Sequence, residues 1–71
     1  MADTKAFSKE VADWHAALVG AKARARINGR NYAFAVQWPT GRCTVEDNKP
    51  MLRQPGMRVV DCDCTGAEYL A

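Results

Sequence analysis

The stretch "AKARARINGRNYAFAVQW", residues 21–38, constrains the fold more than any other part of the chain. Asn28-Gly29 divides it, and this dipeptide suits a two-residue type I′ turn because both positions need positive φ. Pairing Ile27 with Arg30 sets Ala25 opposite Tyr32, Ala23 opposite Phe34 and Ala21 opposite Val36. The same register gathers Lys22, Arg24 and Arg26 on the other face. A one-residue slip would destroy that agreement, so the pattern predicts a hairpin with strands over 21–27 and 31–38. The rival reading continues a helix through the alanines to Arg26, since Ala and Arg favour helix and Gly20 costs only about 1 kcal/mol. Agreement on two faces at once favours the hairpin.

Upstream, Phe7, Val11, Trp14 and Leu18 recur at helical spacing, which predicts an amphipathic helix over about 4–19. Asp3 or Thr4 would cap its start and Gly20 its end. Downstream, "WPTGRCTVED" reads as a second hairpin turning at Thr40-Gly41. Trp38 then opposes Cys43, Val36 opposes Val45, and the new strand runs over about 42–47. "NKPMLRQPG" reads as a loop, with Met51 and Leu52 expected to plug one end of the core. "MRVVDCDC" predicts a strand over about 58–64. Alternation there puts Val60, Cys62 and Cys64 on one face and Val59, Asp61 and Asp63 on the other. Residues 65–71 read as a short tail, one helical turn anchored by Tyr69 and Leu70.

The expected fold is therefore α+β: an N-terminal amphipathic helix packed on a three- or four-stranded antiparallel β-meander, one small domain over 1–71. Its expected core is Phe7, Val11, Trp14, Leu18, Ile27, Tyr32, Phe34, Val36, Trp38, Val45 and Val60. The alternative is a longer helix on a three-stranded sheet. With 71 residues the core is thin, and a partner chain is a common remedy. A free edge strand also favours a homodimer.

Charge is unevenly distributed. Lys22, Arg24, Arg26, Arg30 and Arg42 fall in a stretch without an acid, residues 14–45, while Asp61, Asp63 and Glu68 fall in a stretch without a base, residues 59–71. These two groups would serve different partners or each other. The N-terminus has no apolar leader region, and no apolar run approaches the roughly 18–20 residues that span a bilayer. Cytoplasmic localisation without membrane association is expected. Three cysteines are too few for a secreted disulfide framework, so reduced thiols are expected.

Cys43, Cys62, Cys64 and His15 have the ligand types of a closed zinc site, but not the spacing of paired knuckles. Buried core thiols are the simpler reading, and no metal or other cofactor is expected. Nucleic-acid binding would use the basic strip. Tyr32, Phe34 and Trp38 are expected against the helix, on the opposite face from that strip, which argues against base stacking. No phosphate loop, dinucleotide turn, triad or paired acid–base set occurs, so an enzyme is not expected. The expected function is a small non-catalytic interaction protein that binds another protein through a charged surface. Lys22, Arg24, Arg26, Arg30, Arg42, Asp61 and Asp63 would form that surface. In size and style the chain is like the short phage or mobile-element proteins that inhibit or adapt host machinery. A basic nucleic-acid-binding protein and a zinc-stabilised binding domain are the alternatives.

Overall fold

A computed structural model describes the backbone of residues 2–71 and the side chains from Lys9 onward. The caps expected at Asp3 or Thr4 and the core position expected at Phe7 lie outside the described side chains. The described residues form α1 (Ala2–Ile27), β1 (Tyr32–Gln37), β2 (Cys43–Glu46), β3 (Arg58–Asp63) and β4 (Glu68–Leu70). The fold is α+β, with α1 packed on a four-stranded antiparallel sheet of order β2-β1-β3-β4. The order is meander-like, with β1 lying between β2 and β3.

The strand expected over 21–27 is replaced by the second half of α1. Alanine is what misleads. Ala21, Ala23 and Ala25 satisfy a period of two, but Ala17, Ala21 and Ala25 also satisfy a helical period of four. The second set is the buried one. It packs on Ala33 and Ala35 of β1 and on Val60 and Cys62 of β3, while Ala23 is exposed. Small side chains on both sides bring helix and sheet close together. A Cβ at Gly20 would stand 3.1 Å from Cγ2 of Val45, so this mid-helix glycine marks a close approach to β2.

Asn28-Gly29 ends the helix instead of turning a hairpin. The Asn28 N–H donates to the Arg24 carbonyl at 2.9 Å, and Gly29 takes a left-handed φ of 76° just beyond. This is the glycine-terminated helix end. Asn28 then uses its side chain to steer the exit. Its Oδ1 accepts from the Arg30 N–H at 2.9 Å, and its Nδ2 donates to the Tyr32 carbonyl at 2.8 Å.

The β1–β2 hairpin forms, one residue out of the expected register. Trp38 N–H donates to the Arg42 carbonyl and Gly41 N–H to the Trp38 carbonyl, both at 2.8 Å, and Gly41 has φ 91°. This is a three-residue loop with a glycine bulge, not a two-residue turn. Gln37 therefore opposes Cys43 and Ala35 opposes Val45. The slip moves Cys43 and Val45 to the helix side of the sheet, away from Trp38 and Val36.

On β3 the expected alternation holds. Val60 and Cys62 face the helix, and Val59, Asp61 and Asp63 face away. The tail forms β4 and not a helical turn, paired Cys62 to Glu68, Asp61 to Tyr69 and Val60 to Leu70.

The helix-free face carries a second small core. Phe34, Val36 and Val59 are buried there beneath Trp38, Met57 and Ala71, and Trp38 Nε1 donates to Thr44 Oγ1 at 2.8 Å. Several expected core residues lie outside both clusters. Val11 is 51% exposed, Ile27 76%, Tyr32 39% and Val45 38%. Val11 precedes Trp14, where the described helix–sheet packing begins. A helix of 26 residues is about 39 Å long, against about 20 Å for a six-residue strand, so it overhangs the sheet. Met51 and Leu52 plug nothing; they stand in solvent on the β2–β3 loop.

Candidate functional site

Lys22, Arg24 and Arg26 do not share a strand face. They fan around the C-terminal half of α1, and each is tied to the domain itself. Lys22 Nζ lies 2.6 Å from Glu68 Oε2 on β4. Arg24 grips Asp47 with both ends of its fork, Nε to Oδ1 and Nη2 to Oδ2, each at 2.7 Å. That fork, helped by Asn28 Nδ2, holds the Asp47 carboxyl at a pKa of about 2 and raises that of Arg24. Arg26 Nε donates to the Cys64 carbonyl at 3.3 Å. Arg30 Nη1 donates to Asn48 Oδ1 at 2.6 Å and to the Asp47 carbonyl at 3.4 Å. Part of the charge separation seen in the sequence therefore closes on itself across the helix–sheet seam.

Arg42 lies at the other end of the edge strand β2. It borders an open groove of about 420 Å³ between α1 and β2, with Asp13, Ala16, Ala17, Cys43, Thr44 and Val45. A second cavity of about 300 Å³ lies at the helix overhang, among Glu10, Val11, Trp14, Gln37 and Arg58. The Arg58 guanidinium sits 5.0 Å from the centroid of the Trp14 ring.

The two aspartates of β3 face away from α1, so Arg24 and Arg26 reach other partners. Asp63 is consumed by the β3–β4 turn. Its Oδ1 accepts from the Thr65 hydroxyl at 2.6 Å, the Thr65 N–H at 2.9 Å and the Ala67 N–H at 3.0 Å. Those donors hold its carboxyl below the usual range, the Thr65 hydroxyl contributing most. Asp61 is different. Its Oδ1 is shielded from solvent and accepts no hydrogen bond from the described residues. It lies opposite Phe34 of β1 on one side and Tyr69 of β4 on the other.

Tyr32, Phe34 and Trp38 also occupy this helix-free face, contrary to the expected placement against the helix. The Tyr32 and Phe34 rings meet edge to face at 5.7 Å. Tyr69, expected only as a tail anchor, completes the face and is 56% exposed. The charged residues that the ladder puts beside Tyr32, Phe34 and Tyr69 are Glu46, Asp61 and Asp63, all acidic, while Arg42 lies opposite Trp38 at the hairpin end of the face. The face therefore resembles a stacking platform in its aromatics and the reverse of one in its charge.

Cys43, Cys62 and Cys64 are free thiols on the helix side, Cys62 fully buried and the other two half-buried. Burial pushes the Cys62 and Cys43 thiols up, and Asp13 and Glu10 push Cys43 further. Both thus have little thiolate character and make poor nucleophiles. His15 is exposed. Among the described residues no three His, Cys, Asp or Glu side chains are grouped to hold a metal, so the set Cys43, Cys62, Cys64 and His15 is not brought together. No helix among the described residues is long and apolar enough to cross a membrane. Comparison with protein families, curated proteins and solved structures finds no match.

Proposed function

We propose that this chain is a non-catalytic protein-binding domain that engages a basic segment of a partner protein through the helix-free face of its sheet. The observation that carries the reading is the Asp61 Oδ1 atom, shielded and without a donor. An acceptor left unsatisfied in a native fold costs free energy and calls for a reason. A lysine or arginine from a partner would supply the missing donor once the Asp61 side chain turns and brings Oδ1 out of its shielded position. The flanking aromatic rings would hold the same cation over their π faces. Exposed Tyr69 and Tyr32 are of the type enriched at protein interfaces.

This reading keeps the expected protein-binding role and relocates it. Asp61 contacts the partner, Asp63 closes its turn, and Lys22, Arg24, Arg26 and Arg30 order the domain. A cytoplasmic inhibitor or adaptor is the biological form it takes. Nucleic acid is disfavoured on this face because Glu46, Asp61 and Asp63 would repel phosphate.

The test is capture from a cell lysate, with nuclease present, read by mass spectrometry for wild type, Asp61→Asn and Lys9→Glu, the last reversing an exposed charge on α1 away from the face. A protein captured by wild type should be lost with Asp61→Asn and kept by Lys9→Glu. Asp61→Asn should keep or raise Tm, since it removes a shielded charge and no hydrogen bond within the domain. Equal capture by Asp61→Asn, or loss of all capture on nuclease treatment, would overturn the reading.

A further inference from the structure

The outer edge of β2 points to a second partner surface. The Trp38–Arg42 hydrogen bond and the β1–β2 register assign the backbone groups of Arg42, Thr44 and Glu46 to β1. By the same alternation, the N–H and C=O groups of Cys43 and Val45 face outward, where the sheet order leaves no strand to receive them. Such an edge is a template for pairing.

We infer that β2 pairs antiparallel with β2 of a second copy of this chain, with Thr44 on the two-fold axis. The argument is one of self-complementarity. A two-fold axis normal to the sheet keeps both helices on one side, so facing residues must come from the same face of each copy. That requirement admits registers centred on a residue. Centring on Thr44 sets Thr44 against Thr44, Cys43 against Val45 twice and Arg42 against Glu46 twice. The Thr–Thr and Arg–Glu pairs are favourable cross-strand pairs, and Cys43 with Val45 sets apolar against apolar. Among the described residues Arg42 and Glu46 have no ion-pair partner, although Lys22, Arg24, Asp47 and Glu68 are paired.

The hydrogen bonds fall in phase as well. Cys43 and Val45, whose backbone groups point outward, meet as hydrogen-bonded pairs, giving four bonds across the axis. Arg42 and Glu46 meet as non-hydrogen-bonded pairs, where side chains approach more closely. Centring on Val45 instead opposes Thr44 to Glu46 and Cys43 to Asp47, which loses both ion pairs. The other free edge, β4, is three residues long and would set Glu68 against Leu70. On the helix side, the groove beside β2 is lined from α1 by Asp13, Ala16 and Ala17, so among the described residues no helix side chain larger than Asp13 lines the approach.

The product is an eight-stranded sheet, β4-β3-β1-β2-β2-β1-β3-β4, with two antiparallel helices on one side. Both Asp61 faces then lie on the other side, so the dimer is bivalent for the partner. Cooperation between the two sites would follow from linkage alone.

The test uses charge reversal read by sedimentation equilibrium. Wild type should have twice the chain mass. Arg42→Glu and Glu46→Arg should each be monomeric, with dimerisation weakened at least tenfold, because each sets two like-charged pairs face to face. An equimolar mixture of these two variants should restore the dimer mass, since every 42–46 pair in the heterodimer is then opposite in charge. Far-UV circular dichroism confirms that each variant is folded. A monomeric wild type at high concentration, a dimer that survives either single reversal, or a mixture that stays monomeric would overturn the inference.

Discussion

Replacing Ala21 with Leu should destabilise the domain strongly, while the same change at Ala23 should not. Ala21 and Ala25 have no exposed surface and pack on Ala33 and Ala35, which have none either. Leucine adds three carbons to a seam already closed to backbone-approach distance. Overpacking of this kind costs about 1–3 kcal/mol. A chain of 71 residues has a total stability of about 4–11 kcal/mol at roughly 0.05–0.15 kcal/mol per residue. At about 4–8 °C per kcal/mol, Ala21→Leu should lower Tm by about 4–24 °C. Ala23 is exposed, and leucine is nearly as good a helix former as alanine, so Ala23→Leu should stay within about 0.5 kcal/mol of wild type. Thermal unfolding followed by far-UV circular dichroism reads both. The contrast is what matters. In a strand, residues 21, 23 and 25 would share one face and all three leucines would cost alike. Equal loss at Ala21 and Ala23, or no loss at Ala21, would refute the helical phase.

Acid should destabilise the domain in a defined window. The Asp47 pKa falls to about 2 and that of Asp63 is also depressed, so between the unfolded value near 4 and these lower values the unfolded chain binds more protons. Tm should be flat between about pH 5 and 8 and fall as pH drops from about 4 to 2, with a shallower fall in Asp47→Asn; an unchanged slope in that variant would refute the role given to the Arg24 fork. Gly29→Ala should cost about 1 kcal/mol, because φ 76° is strained for any side chain. Gly20→Ala should be neutral to stabilising. Its helix-propensity gain of about 1 kcal/mol opposes a 3.1 Å contact with Val45, an edge-strand side chain able to shift. Unfolding midpoints in denaturant would check both glycines, and a larger loss at Gly20 than at Gly29 would contradict the argument.

The α+β class, the hairpin after Trp38 and the alternation of Val59 to Cys64 were legible because each rests on a local pattern. The extent of α1 was not. Alanine fits a period of two and a period of four equally well, and the choice was made by Ala33 and Ala35 across the seam. The β1–β2 register turned on one residue of loop length, settled by Gly41 taking the left-handed bulge position. β4 depended on Asp63 reaching forward to Thr65 and Ala67. The signal was present in Asp63-Cys64-Thr65-Gly66, which has the composition of a turn that such a carboxylate closes. Of the candidate site, Asp61 and Asp63 were placed on the correct face, but their partners could not be read. What surrounds Asp61 depends on a tail strand whose register the sequence pattern did not specify.

The fold gives a physical reason for the proposed division between the two halves of the charge pattern. A helix–sheet seam built from alanines buries little apolar area per residue, so it leaves part of the stability to other parts of the chain. The second core supplies it, yet no second helix covers Val36 and Val59. Met57 and Ala71 cover them instead. Both belong to segments that would be loose without ties. Arg24 and Arg30 hold the start of the β2–β3 loop at Asp47 and Asn48, and Arg53 Nη1 holds its far end by donating to the Ala71 carbonyl at 2.7 Å. The arginines are therefore committed to keeping the cover in place. Removing Arg53 should loosen Ala71 and Met57 together and expose Val59, with no acidic residue left uncompensated. Asp61 sits next to Val59 on the same strand and makes no such tie. On the proposed reading, a binding face needs neighbours that stay put, and the basic residues secure them for Asp61, whose Oδ1 accepts no hydrogen bond from the described residues.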